Sequence, residues 1–153
     1  MGWGSLEQFI RALEARGELL RVSHPVDLRF EAGCIADRLV KRGGPAVIFD
    51  QPRQEDGSIS RFPLAMNLFG TRERTNLALG VNEPSEIGEM MVGLMKPDIG
   101  TFVKMPWKAL PLARDAFAMP PRKRRFAAPC QQVRMKNPDL TKLPIPKTWP
   151  LDG

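Results

Sequence analysis

Few side chains in this sequence could serve as a nucleophile or as a general acid or base. The 153 residues include a single histidine, His24, and two cysteines, Cys34 and Cys130. His24 precedes Pro25 after a predicted strand, a place where a histidine is more often a surface residue than a catalyst. Cys34 is expected on the buried face of a helix beside Ile35, which favours a packing role, and Cys130 has no histidine nearby in sequence to activate it. We therefore predict no catalytic residue among the three.

Metal and phosphate sites are also poorly supported by the residue types present. A structural zinc site needs four ligands, and two distant cysteines with one histidine cannot supply them. The cluster of Met90, Met91 and Met95 fits packing in a core or an interface better than metal binding. Phosphate loops lead from a strand into a helix, whereas Gly43-Gly44-Pro45 leads from a predicted helix into a predicted strand. We expect this turn only to end one element and begin the next.

The positive charge of the chain is concentrated in its last third. The formal charge is +6, yet residues 1–103 carry 12 basic and 14 acidic side chains, and residues 104–153 carry 11 basic and 3 acidic ones. That last third also holds 9 of the 15 prolines and the run from Arg122 to Arg125. One interpretation is a stand-alone module that binds nucleic acid or an anionic membrane through this run. Only Phe126 adjoins it as a stacking platform, and no nucleic-acid-binding motif accompanies it, so we expect nucleic acid not to be a partner.

Apolar spacing and turn residues predict a mixed α/β (α+β) fold for the first hundred residues. Ser5 is a candidate helix cap, Gly17 a helix end and Thr71 a second cap. The second helix is expected to bury Ile35, Ala36, Leu39 and Val40. The predicted helices cover residues 5–16, 30–41, 71–79 and 84–95, and the predicted strands cover residues 18–23, 46–49 and 62–68.

The remainder of the chain reads as irregular, interrupted by prolines. A helix over residues 107–119 and a strand over residues 130–135 are the candidate elements, with nothing regular between Pro97 and Pro106. No apolar stretch approaches the ~18 residues of a membrane span, and the N-terminus lacks the charged and apolar regions of a secretory signal. Two free thiols and the absence of a signal predict a cytoplasmic protein.

Blocks spread along nearly the whole chain give it a family resemblance. The sequence resembles the UbiD-type carboxy-lyases, which include the decarboxylase of 3-polyprenyl-4-hydroxybenzoate. The blocks, in the order that this family shows, are residues 6–10 with 14–19, residues 35–38, residues 43–49, residues 67–74, residues 128–132, and residues 139–140 with 143–146 and 149–153.

The resemblance implies a decarboxylase of aromatic or α,β-unsaturated carboxylic acids, such as the prenylated benzoate of ubiquinone biosynthesis. It implies prenylated FMN, Mn²⁺ and potassium as cofactors, a flavin prenyltransferase that supplies the flavin, and a homo-oligomer for the full-length enzyme. Peripheral association with the inner membrane is an open alternative if the substrate is a prenylated lipid.

The resemblance also implies which part of such an enzyme this chain contains. Residues 1–105 resemble the family's small N-terminal α/β domain, and residues 106–153 resemble a Pro-rich basic connector and the beginning of the split β-barrel, flavin-reductase-like domain that binds the cofactor. The family's cofactor, metal and catalytic motifs follow the block that ends at Gly153, and Asn67 does not match them. We therefore assign no catalytic, cofactor-binding or metal residue, expect no cofactor to bind this fragment, and predict that it is inactive alone.

Overall fold

The computed structural model describes residues 3–95, 110, 114, 117, 128 and 131–151. The chain divides into two compact units, one formed by Met1–Gly80 with Pro138–Gly153 and the other by Val81–Asn137. The elements in chain order are α1 (Leu6–Ala15), β1 (Leu19–Val22), β2 (Val26–Asp27), α2 (Glu31–Lys41), β3 (Ala46–Phe49), β4 (Pro52–Arg53), β5 (Leu64–Met66), α3 (Arg72–Leu79), α4 (Ser85–Met95) and a short 3-10 helix (Leu140–Lys142).

The core of the first unit is built around β3. This strand lies between β1, to which it is parallel, and β5, to which it is antiparallel. All four of its residues are buried, as predicted from its continuous apolar run. Ala46 packs with Phe9 and Leu13 of α1, whereas Val47 and Phe49 pack in a separate cluster with α2. Because the strand is covered on both faces, it needs no alternation of polar and apolar residues.

The first helix confirms the predicted cap and end. The Ser5 side chain accepts a hydrogen bond from the backbone N–H of Gln8, and Gly17 follows the helix with a φ of 70°, a conformation that glycine adopts without a Cβ clash. Phe9 and Leu13 are buried, but Leu6 is 57% exposed. The apolar face predicted for α1 therefore reaches the core only from its second turn.

The buried face predicted for α2 is partly wrong. Ala32 and Ala36, one turn apart, are its buried residues, while Val40 is 47% exposed and Cys34 is exposed. Cys34 lies two positions from each buried alanine, which at about 100° per residue turns it toward the opposite side of the helix. The packing role predicted for Cys34 is therefore wrong. The buried residues of α2 are the two alanines, and Cys34 is exposed.

The later helices begin where the sequence predicts. Thr71 accepts a hydrogen bond from the backbone N–H of Arg74 and caps α3, which ends at Gly80 with a φ of 72°. In the second unit, α4 begins at Ser85 directly after Pro84. Met91 and Met95 are exposed on it, so core packing is wrong for these two methionines, and interface packing stays a prediction.

Other predictions are wrong or fall outside the described residues. The short parallel pair of β2 and β4 was not predicted, since two residues carry no periodicity. In the strand predicted over residues 130–135, the described residues 131–135 are all exposed and are not in a strand. In the predicted helix over 107–119, the described residues 110, 114 and 117 are helical. Pro97 to Pro106, Arg122 to Arg125 and Cys130 lie outside the described residues; the boundary at residue 105 and the split barrel stay predictions.

Candidate functional site

A buried arginine ties together three elements of the first unit. Arg74 lies in the first turn of α3, and its side chain is only 1% exposed. Its Nη1 donates to the Glu18 carboxylate at 2.8 Å, and its Nη2 donates to the Gly44 carbonyl oxygen at 2.9 Å. The guanidinium therefore joins α3 to the residue before β1 and to the turn before β3.

Asn67 contacts the same turn from the end of β5. Its backbone has a φ of 59°, and its side-chain amide donates to the Pro45 carbonyl oxygen at 2.9 Å. A Cβ added to Gly70 would lie 1.5 Å from Asn67 Oδ1 and 3.1 Å from Arg74 Nη2. Only glycine leaves room for these two side chains. Their close approach to the backbone therefore requires glycine at position 70.

We call Glu18, Gly44, Pro45, Asn67 and Arg74 the Arg74 junction. Its turn presents backbone carbonyl oxygens to cationic and amide donors, which is the opposite of an anion-binding loop. Glu18 balances the charge of Arg74 while its own side chain remains 44% exposed. The bonds of the junction therefore fix the positions of α3, of the residue before β1 and of the turn before β3.

Two polar atoms of the junction lack a hydrogen-bond partner within the part of the chain that the structure describes. They are Arg74 Nε and Asn67 Oδ1, both buried. A recess of about 260 Å³ is lined by Arg16, Glu18, Glu73, Arg74 and Leu77. Its two basic and two acidic side chains balance, so the recess has no net charge with which to select a ligand.

A larger groove of about 620 Å³ lies elsewhere in the first unit. Its walls come from residues 28–29 and 54–56 on one side and from residues 140–147 on the other. Hydrogen bonds from the Ser58 hydroxyl and amide hold the pKa of the Asp56 carboxyl below its usual value, and those from Thr141 do the same to the pKa of Asp139, which precedes the second wall in the chain. These two carboxylates therefore stabilise local turns.

Two of the three sequence candidates, His24 and Cys34, lie in the part of the chain that the structure describes, and they are not brought together there. His24 and Cys34 are exposed and lie on different segments, and the turn at Gly43-Gly44-Pro45 ends α2 and begins β3, as predicted. Among the residues described, no group of three or more His, Cys, Asp or Glu side chains could hold a metal ion. In that same part of the chain, no helix combines the length and the apolar character needed to cross a bilayer.

Sequence reasoning assigned no role to the side chains of the Arg74 junction. Hydropathy places an arginine at the surface, and nothing in the spacing of α3 marks Arg74 as buried. The available signal was the block of residues 67–74 quoted for the family resemblance, because it contains Asn67, Gly70 and Arg74 together.

A comparison with protein families agrees with that block. The model of the 3-octaprenyl-4-hydroxybenzoate carboxy-lyase N-terminal domain matches residues 10–91. The match covers more than half of the chain and includes every residue of the Arg74 junction. The chain therefore belongs to the UbiD carboxy-lyase family, whose N-terminal domain it contains.

Proposed function

We propose that this chain is the N-terminal portion of a decarboxylase that acts on aromatic or α,β-unsaturated carboxylic acids with prenylated FMN and Mn²⁺. The family match over residues 10–91 carries the proposal, since membership implies carboxy-lyase activity for the family. A 3-polyprenyl-4-hydroxybenzoate is the substrate type that the name of the matching family domain favours.

The described residues offer no cluster of ligands that fits the metal. Mn²⁺ favours carboxylate and other oxygen ligands, and no group of three candidate ligands occurs in the described part of the chain. Glu55 and Asp56 both line the groove, but the Asp56 carboxylate already accepts hydrogen bonds from Ser58. We therefore derive no catalytic step from these residues.

The contribution of this portion is the placement of structural elements. In flavin enzymes the cofactor carries the difficult chemistry, and the protein supplies binding, orientation and electrostatics. Here the Arg74 junction holds α3, β1 and the turn before β3 in one arrangement. We propose that the domain is a rigid framework for the cofactor-binding part of the enzyme and is inactive without it.

The predictions about the cofactor supply, the oligomeric state and the location belong to the same proposal. A flavin prenyltransferase would supply the cofactor, and the full-length enzyme would be a homo-oligomer in the cytoplasm. Peripheral attachment to the inner membrane would follow only from a lipid-like substrate.

The test is reconstitution of the purified 153-residue chain. The chain is titrated with prenylated FMN and Mn²⁺, flavin absorbance reports binding, and carbon dioxide release is measured with one aromatic and one α,β-unsaturated acid. We expect neither binding nor release, while a full-length family decarboxylase gives both in parallel. Amide protection of β3 in the same sample verifies that the chain is folded.

Two outcomes would contradict the proposal. Stoichiometric flavin binding or carbon dioxide release would show that this portion holds an active site. Salt-dependent DNA binding that is lost when Arg122 to Arg125 are replaced by Gln would favour the stand-alone basic module instead.

A further inference from the structure

The first unit contains a segment that returns to it from far along the sequence. Residues 138–151, which we call the return segment, follow the second unit in the chain yet belong to the first. Lys147 forms a parallel bridge with Arg29. The Lys147 N–H donates to the Leu28 carbonyl at 2.9 Å, and the Phe30 N–H donates to the Lys147 carbonyl at 2.9 Å. The return segment thus lies as an added strand on the chain that continues β2.

Burial of side chains contributes little to this attachment. No residue of the return segment is buried, and its apolar side chains at Leu140, Ile145 and Leu151 are 67%, 66% and 97% exposed. A hydrogen bond from Gln54 Nε2 to the Lys142 carbonyl at 3.1 Å also reaches an exposed position. An exposed hydrogen bond of this kind contributes only ~1 kcal/mol net, and no buried side chain of the segment adds to it.

The attachment also holds a strained turn. Phe30 has a φ of 71° and a ψ of −36°, and the Glu31 N–H donates to the Arg29 carbonyl at 2.9 Å across it. This is close to the rare γ-turn with positive φ, which is unfavourable for a residue with a side chain. Phe30 is the central residue of this turn, and its N–H donates to the Lys147 carbonyl oxygen. The return segment therefore holds the turn at Phe30.

We propose that the return segment is a releasable strap, which detaches while the sheet of β1, β3 and β5 stays folded. Release removes one wall of the 620 Å³ groove and relaxes the turn at Phe30. It also exposes the Phe30 N–H and the Leu28 carbonyl, which bond to Lys147 while the strap is attached.

Hydrogen exchange on the full chain tests the proposal. Segments held by few buried contacts open below the free energy of global unfolding. The amides of Phe30 and Lys147 are therefore expected to exchange together, with protection about tenfold or more below that of Val47 and Phe49 in β3. Equal protection at all four amides would overturn the proposal, because the strap would then open only with global unfolding.

A pair of substitutions at one position separates the backbone bond from the side chain. Lys147→Pro removes the N–H that donates to Leu28, and it is expected to lower Phe30 protection about tenfold while leaving β3 protection unchanged. Lys147→Ala keeps that N–H and is expected to lower Phe30 protection less than Lys147→Pro does. Equal loss in both variants, or a parallel loss in β3 with Lys147→Pro, would overturn the proposal.

Discussion

The Arg74 junction and the return segment belong to the same compact unit but are held by different physics. In the junction, a 1% exposed guanidinium donates to a carboxylate and to a carbonyl oxygen of the turn before β3. In the return segment, backbone hydrogen bonds attach a stretch of chain that has no buried side chain. Both link residues distant in sequence, so sequence separation does not distinguish them.

The comparison teaches that the number of bonds is a poor guide to how firmly a segment is held. A charge that loses its partners while it stays buried cannot be solvated by water. Breaking the bonds of the junction within the folded unit therefore carries a large free-energy penalty. An exposed backbone group exchanges its protein partner for water at small net cost. We therefore expect the junction to open only when the unit unfolds and the return segment to open first.

The largest effect is expected at the buried arginine. Arg74→Met removes the bonds to Glu18 and Gly44, and it should lower the free energy of unfolding by about 3 kcal/mol in denaturant titration. Arg38→Met, at an exposed position of α2, is the control and should change it by less than about 0.5 kcal/mol. Equal losses in the free energy of unfolding in the two variants would contradict the distinction between a buried and an exposed arginine.

The next effect concerns the glycine that makes room for the junction. A Cβ at Gly70 would overlap Asn67 Oδ1, so Gly70→Ala displaces the Asn67 amide and should cost about 2 kcal/mol in the same titration. At Gly88 in α4 a Cβ meets no atom within 4 Å. Gly88→Ala should be neutral or stabilising by up to about 1 kcal/mol, and a destabilisation as large as that of Gly70→Ala would refute the steric argument.

A smaller effect should identify the strain beneath the strap. Phe30→Gly and Phe30→Ala remove the same ring, but only glycine tolerates a φ of 71° without a Cβ clash. The glycine variant should therefore be about 1 kcal/mol more stable than the alanine variant by thermal or denaturant unfolding. Helix propensity and chain entropy alone would make the alanine variant the more stable of the two. That result would show that the turn is not strained.

The smallest effect concerns pH and the start of the strap. Hydrogen bonds from the Thr141 hydroxyl and amide, with a weaker contribution from the charge of Lys142, hold the pKa of the Asp139 carboxyl below its usual value of 3.8. Since the folded pKa is the lower one, the stabilisation is complete above pH 3.8 and is lost as the pH falls through the folded pKa.

The measurement is the Lys147 amide protection factor in wild type and in Asp139→Asn, between pH 6 and pH 3. Wild type should be more protected by about two- to threefold at pH 6, and the difference should narrow below pH 3.8. A constant difference across the range would mean that ionisation of Asp139 does not influence the strap.

The parts of the fold that were predictable depend on local chemistry. The uninterrupted run in β3 predicted a strand covered on both faces, and Ser5 and Thr71 predicted helix starts that their side chains do cap. In each case the deciding interaction lies within four residues. The block of residues 67–74 likewise indicated the family before any contact was known.

The parts that were not predictable depend on partners elsewhere in the chain. Cys34 is exposed because Ala32 and Ala36 face β3, and a two-residue strand such as β2 exists only because β4 lies beside it. The unusual φ of Phe30 accompanies its bond to Lys147, 117 positions later. None of these leaves a periodic or compositional signal.

The sequence by itself determined the helix starts, the buried strand and the family, because apolar runs, caps and motif order are written in neighbouring residues. The tertiary structure alone decided that Arg74 is buried and that residues 138–151 return to the first unit. Burial of a charge depends on whether a carboxylate and a carbonyl oxygen converge on it from other elements. The attachment of a strand depends on an open edge far along the chain, and both are properties of the folded arrangement.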